Sequence, residues 1–549
     1  MRRAIVVGFV IAVALTGCVG IPTTGGVETG PVIDEQLDPD FVIDPSGPRA
    51  GSNPEEILAD FMLAVRGPQN GYEIAREFLT ADLSATWDPD ASVTIRTGIP
   101  SVTIGAAPDT LDYGISTRAY VDADGRYFEP GAASQVLSFT FAQEKGEWRI
   151  SAAPDGIVLS QSSFNVVFTE SALYFFDPSY TYLVPDVRWF PSRATLPVRI
   201  VRELLDGPAL WLQQGVVLSA FPISTALDTA SIDSGVATVE LSTEALTASA
   251  VDRDRMRQQL SATLDVANVV MTVGGIEITA PASGVQATKD PTVEGAALVA
   301  TDTDFGFDTG DGVSPIEGLS AVVIAAGATA ATLSNEQQYV AMLAPGGVYA
   351  VQKGSERGQP FDDRPGLVAP SIDPFRFVWS AQAASAATLS IFEVDGTEYP
   401  LASGPPADAT VVSIDVSRDG ARLLLYLSTS LGPRLAVAGI IRDQKNLPTA
   451  LGPLEFLPVA ATEPIDATWV DSRTVATVSR GSEIAPITLY GIGGPSEPLG
   501  QVPDATAIVG GNGGADGLRT LRSTGDVLRP QGSSWVSTGL SARLLATKQ

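Results

Sequence analysis

The chain has 549 residues, 34 basic and 63 acidic, for a formal net charge of −29. So acidic a body repels phosphate backbones and anionic bilayers, which excludes charge-driven binding to nucleic acid or membrane. There is no histidine and one cysteine, Cys18, so no Ser-His-Asp triad, Cys-His pair, histidine metal site or internal disulfide can form.

At the N-terminus, Met1-Arg2-Arg3 is a basic head and Ala4–Leu15 an apolar run. The run falls short of the roughly twenty apolar residues that span a bilayer. A basic head, a short apolar segment and small residues at its end form a secretory signal. Leu15-Thr16-Gly17-Cys18 resembles the bacterial lipobox. The resemblance implies cleavage before Cys18 and lipidation of its sulfur, so residues 1–17 are a lipoprotein signal peptide. Two or more acyl chains give durable anchoring, each buried methylene adding about 0.8 kcal/mol. Residues 18–51, rich in Gly, Pro, Thr and Asp without periodicity, read as a flexible tether.

The region 52–155 opens on Asn53-Pro54-Glu55-Glu56, a cap, a first-turn proline and two acids that together start a helix. Ile57, Leu58, Phe61, Met62 and Val65 follow at helical spacing, and Tyr72, Ile74, Ala75 and Phe78 mark a second short helix. Alternating strands then run over Val93–Thr97, Gly114–Val121, Val136–Ala142 and Trp148–Ile150. Helices before an antiparallel sheet predict an α+β domain, and the order resembles the NTF2-like fold.

In the region 160–285, Thr195–Asp206 is amphipathic and stops at Gly207-Pro208. Strands are expected at Val216–Phe221, Ala226–Ile232, Val236–Leu241, Val269–Val273 and Ile276–Ile278, with turns at Asp233-Ser234-Gly235 and Gly274-Gly275. A second helix is expected over Arg253–Val266. The segments RELLDGP, SIDSGVATVELS and QLSATLDVANVVMTVGG resemble the GerMN domain. That resemblance implies a small non-enzymatic α+β module outside the membrane, and an independent fold for 160–285.

From 298 to 549 the chain is short strands and turns. Related units recur at Gln337–Leu343, Arg376–Ser380, Ala421–Tyr426, Thr474–Ser479 and Leu518–Arg522, a period that fits β-propeller blades. Ser417-Arg418-Asp419-Gly420 is a tight turn feeding what is expected to be an inner strand, and it resembles TolB-like repeats. A β-sandwich shares the composition; the repeat favours the propeller.

Candidate chemistry is sparse. No nucleophile elbow, Walker A or dinucleotide glycine motif is present, and Gly510-Gly511-Asn512-Gly513-Gly514 lacks a strand-to-helix setting. Asp302, Asp304, Asp308 and Asp311 are dense, but Gly306, Phe307 and Val313 break the EF-hand pattern, so they read as a solvated acidic loop and no metal is assigned. Ser417-x-Asp419-Gly420 is also similar to a sialidase Asp-box, with Leu424 where that repeat has an aromatic. Most of the seven tryptophans, Trp87, Trp148, Trp189, Trp211, Trp379, Trp469 and Trp535, read as core or partly buried. No catalytic residue, cofactor or metal ligand is assigned; the one site residue is Cys18, for lipidation.

Lipobox, cone-like domain, GerMN domain and propeller in this order resemble the LpqB lipoproteins of actinobacteria over nearly the whole chain. The resemblance implies a non-enzymatic protein, lipid-anchored on the outer side of the cell membrane. It further implies an accessory of the MtrA–MtrB two-component system that binds the sensor kinase's extracytoplasmic part in cell-envelope homeostasis. The alternative is an envelope carbohydrate hydrolase or glycan-binding protein using acids in the propeller cavity, since two carboxylates suffice for glycoside hydrolysis. Converging carboxylates with raised pKa there would favour the enzyme, a closed, apolar-plugged centre the binding role.

Overall fold

A computed structural model describes residues 45–549, apart from 132, 283, 385–387, 402, 460–462 and 482–483. Cys18 and the signal peptide lie outside the described residues. No described helix is long and apolar enough to cross a membrane.

The first domain begins with the helix Pro54–Ala64. Asn53 Oδ1 accepts from Glu56 N at 3.0 Å, and Glu56 Oε2 accepts from Asn53 N at 3.0 Å, so the two orphan amides are met reciprocally. Ile57, Leu58 and Phe61 turn inward onto a sheet with strand order Glu147–Ala152, Ala133–Glu144, Thr110–Asp122, Ser92–Ile104, Ile157–Ser160. The expected second helix is one turn, Glu73–Arg76, because Tyr72 adopts a left-handed φ of 63° before it. Another helix, Ala81–Thr86, capped by Thr80, precedes the strands and was not among the expected elements.

The middle domain has a sheet of Phe168–Phe176, Tyr182–Pro191 and Thr288–Lys289 and another of Leu227–Asp233, Val236–Leu241, Asn268–Val273 and Ile276–Glu277. Two helices, Leu196–Asp206 and Ala250–Leu264, pack against strands of both. The Asp233–Val236 hairpin turns through Ser234 and Gly235 with φ of 52° and 80°, the paired positive values of a two-residue loop. Val216–Phe221, expected as a strand, is a turn segment touching Phe176 through one bridge at Leu218. Its buried Val216 instead packs against the propeller.

Residues 298–548 form a propeller of six four-stranded blades among the described residues. The inner strands, for blades 2 to 6 in chain order, are Ala330–Leu333, Ser371–Ile372, Thr410–Val416, Glu463–Trp469 and Ala505–Val509. Blade 1 is closed by both ends of the domain: Leu544–Lys548 lies innermost and pairs antiparallel with Leu298–Ala300. The same strand pairs in parallel with blade 2 at Thr332–Thr547 and Leu333–Lys548, so one strand joins two blades. All five repeat units read from the sequence are second strands of blades 2 to 6. Arg422–Thr429, after the Ser417–Gly420 turn, is therefore second and not innermost; Thr410–Val416 lies nearer the axis.

The main core of the middle domain is continuous with that of the propeller. One buried cluster runs from Phe175, Val201, Leu204, Trp211 and Met256 into Leu424, Tyr426 and Val437 of blade 4 and Trp469 and Tyr490 of blade 5. Contact is close enough that a Cβ on Gly439 would stand 2.6 Å from the Val216 side chain and 2.7 Å from the Trp211 carbonyl. Residues 160–285 alone would expose that shared face. Instead of the autonomous module expected from sequence, the isolated segment should give a broad, non-cooperative calorimetric melt, whereas the full chain melts with middle domain and propeller together. Gly439→Ala should destabilise this joint unit by about 1–3 kcal/mol, the usual cost of overpacking, read from denaturant unfolding.

Candidate functional site

A propeller's inner strands have one paired edge and one edge facing the axis, where backbone amides lack a ladder partner. Here side chains of one blade meet the amides of the next. Ser371 Oγ accepts from Val416 N at 3.1 Å, Asp415 Oδ2 from Trp469 N at 3.2 Å, and Thr468 Oγ1 from Gly510 N at 3.3 Å. A second tier repeats the device: Ser413 Oγ accepts from Ala467 N at 3.1 Å, and Asp466 Oδ2 from Ile508 N at 3.0 Å.

These strands enclose a central cavity of about 290 Å³, which Asp415, Asp466, Ser413, Thr332 and Arg543 help to line. Its lining comes chiefly from the middles of the inner strands, such as Val412–Asp415, Ile465–Ala467 and Thr506–Val509. Toward the middle domain, Gln549 reaches from blade 1 to the opposite blade: its Nε2 donates to the Val416 carbonyl at 2.6 Å and to Asp415 Oδ1 at 3.3 Å.

Two acids therefore converge on the cavity, the feature expected of a hydrolase, but both are engaged. Asp415 also accepts from Thr468 Oγ1 at 3.1 Å and Ser371 Oγ at 3.4 Å. Asp466 accepts from Ala467 N at 2.9 Å and from Ile508 N, one on each oxygen. Burial pushes Asp415 up to about 6 and Asp466 up to about 7, against the pull of the amides they accept from. Asp466 keeps some exposure, but only to a cavity inside the ring.

The residues singled out from sequence are placed elsewhere. Asp304 precedes the hairpin strand Phe305–Asp308 and Asp308 ends it, with Asp308 Oδ1 accepting from Gly310 N at 2.8 Å. Among the described residues no three acids stand close enough to share a metal ion. Asp419 Oδ1 accepts from Ala421 N at 2.9 Å, and its other oxygen pairs with the buried Arg422, whose guanidinium lies 4.7 Å from the Trp469 ring centre. The Ser417–Gly420 turn is thus an anchor for blades 4 and 5. In the glycine run, Asn512 Oδ1 accepts from Val293 N at 2.9 Å. Trp87, Trp211, Trp379 and Trp469 are buried.

Sequence reasoning missed Asp415, Asp466 and Gln549. The signal of the two acids was present as polar residues two apart in apolar strands, Ser413-Ile414-Asp415 and Asp466-Ala467-Thr468, but the amides these side chains meet lie 42 to 54 residues away.

The family model described as "Lipoprotein LpqB, N-terminal domain" matches residues 47–165, and "Lipoprotein LpqB beta-propeller domain" matches 297–541. The chain is 27% identical to Lipoprotein LpqB of Streptomyces coelicolor over 503 residues, 81% of this chain and 80% of that one. It is 32% identical to the Cutibacterium acnes protein of the same name over 305 residues, 53% of this chain and about half, 49%, of that one. Among solved structures, a putative TolB from Agrobacterium tumefaciens aligns with 39% of this chain and 84% of its own at 13% identity and a TM-score of 0.27. The tandem GerMN domains of GerM from Bacillus subtilis align with 34% and 59% at 18% identity and a TM-score of 0.18.

The raised carboxyls set the pH response of the ring. Their folded pKa values stand above the unfolded carboxylate range near 4, so the fold disfavours their ionisation. The stability they contribute is complete below that range and is lost as pH rises through about 6 and about 7. Lys548, lowered to about 8 by burial, titrates above that window. The melting temperature of the full chain should therefore fall between about pH 4 and pH 7, and Asp466→Asn should flatten the upper part of the fall in scanning calorimetry.

Proposed function

Since the chain belongs to the LpqB lipoprotein family, we propose that it is a non-enzymatic, lipid-anchored extracytoplasmic protein that binds and modulates a membrane sensor kinase, the kinase of the MtrA–MtrB system. The observation that carries this reading is the engagement of Asp415 and Asp466 by amides of neighbouring blades. A carboxylate whose oxygens stitch a ring together is poorly placed to move protons for a glycosidic bond. Work is then left to the outer surface. The first domain is taken as NTF2-like and the middle one as GerMN, on element order and the sequence segments given above.

Within the propeller, the turns between first and second strands face the middle domain: Ser472 bonds Asp290, and Arg473 Nη1 lies 2.7 Å from Glu170 Oε1. Strands alternate in direction, so the turns between second and third strands lie on the opposite face. There Leu431 is 84% exposed and Ile484 is also exposed. This face is the recognition surface of the reading. Lipid on Cys18 confines protein and kinase to one membrane and raises their effective concentration, so modest affinity suffices.

Two measurements test it. In native membranes, mass spectrometry should find lipid on Cys18, and Cys18→Ala should leave an uncleaved, unlipidated precursor; an unmodified wild-type Cys18 sinks the anchor. The detergent-solubilised full chain should bind the kinase's purified extracytoplasmic domain saturably. Leu431→Glu should weaken that binding by about tenfold or more with an unchanged melt, roughly the loss of one buried apolar side chain. Deleting the propeller is a poor test, because it strips the middle domain of its shared core. Turnover of cell-wall glycan by the purified protein without kinase contact would establish the hydrolase instead.

A further inference from the structure

A second cavity, of about 220 Å³, lies where all three domains meet. The first domain contributes Arg126 and Phe128, the middle domain Asp186 and Trp211, and the propeller Glu455 of blade 4 and Ile492 of blade 5. Most of the wall is aliphatic or aromatic, so its few polar groups decide what fits.

Those groups differ in how far they are occupied. Asp186 is fully used: it accepts from Arg188 Nη2 at 2.7 Å, Arg188 Nε at 3.1 Å and Ala209 N at 2.8 Å. Arg126 pairs with Asp124, and its Nε lies 3.6 Å from Asp122 Oδ2, an ion pair without a hydrogen bond. Among the described residues Glu455, half-buried on the outer strand Pro448–Leu457, has neither a hydrogen bond nor an ion pair. Burial raises its pKa, and Arg126 pulls it back. Taking a carboxyl out of water without a partner is costly. An ammonium donating to it would remove that cost, and the apolar wall would hold a carbon body. The volume lies below the about 300 Å³ at which drug-sized pockets begin, so the occupant is small.

We propose that this junction cavity binds a small amine with an apolar body, its ammonium on Glu455 and its body against Trp211, Phe128 and Ile492. Because each domain supplies part of the wall, an occupant holds all three together. The site is independent of any kinase contact.

The test uses the full chain in detergent, with phenethylammonium as probe and phenethyl alcohol as its uncharged counterpart. Tryptophan fluorescence and melting temperature are followed against probe concentration. Phenethylammonium should give a saturable change and a raised melting temperature, and the alcohol should bind about tenfold more weakly or worse. Glu455→Gln, nearly isosteric, should lose the same factor. Should that variant fold poorly, Leu210→Lys serves: Leu210 is 66% exposed at the rim, and a lysine there brings a tethered ammonium to compete. It should abolish probe binding without altering the core. No saturable response to phenethylammonium, equal binding of the alcohol, or unchanged binding in a folded Glu455→Gln or Leu210→Lys variant would overturn the proposal.

Discussion

The propeller from blade 3 to blade 6 depends on how the axial edges of its inner strands are satisfied. A strand edge that faces neither water nor a partner leaves amides unmet, and each would cost about 1–3 kcal/mol. The ring resolves this with side chains at fixed positions: Ser371, Asp415 and Thr468 in one tier, Ser413 and Asp466 in the other. Each acceptor belongs to one blade and each amide to the next. The blades are therefore linked at the axis by directional bonds as well as by apolar packing between them. Carboxyls in this role bring a burial penalty, which is why they and not the hydroxyls make the ring sensitive to pH.

A ring stitched in this way presents a stiff wall, and the middle domain is built against it. Val216 and Trp211 approach the third strand of blade 4 at Gly439, where no side chain stands in the way. The first domain joins by polar contacts: Arg118 Nη2 donates to the Ser496 carbonyl at 3.0 Å, and Glu129 Oε2 accepts from Ser496 Oγ at 2.6 Å. Trp189 of the middle domain donates to the Gly493 carbonyl at 2.9 Å from beside the aromatic ring of Phe164. Residues 45–549 thus behave as one body whose parts differ in how they adhere, by shared apolar core on one side and by hydrogen bonds on the other.

What was legible in the sequence follows from the range of the forces involved. The helix start at Asn53-Pro54-Glu55-Glu56 could be read because capping acts within four residues, and the Asp233–Val236 hairpin because its turn is local. The propeller period could be read because second strands such as Arg422–Thr429 are buried on both faces and stand out as apolar runs. The inner strands were less visible: they alternate apolar and polar residues, and the polar ones answer to amides some fifty positions away. Val216–Phe221 was misread because its apolar residues serve a neighbouring domain and not a sheet. The cavity acid Glu455 carries no sequence mark, since it differs from other surface acids only in what folds around it.

The stiffness of the body bears on how it can meet a partner. A chain of independently moving domains would spread its effective concentration over many orientations, and a partner would pay to order each one on binding. A single body carries its faces at fixed angles, so once one contact forms, the position of every other is set. The face of the propeller remote from the middle domain gains most from this arrangement. Its exposed turns project from strands whose inner neighbours are bonded around the ring, while the opposite face is spent on the middle domain. Free and occupied faces are thus assigned by the packing itself, before any partner arrives.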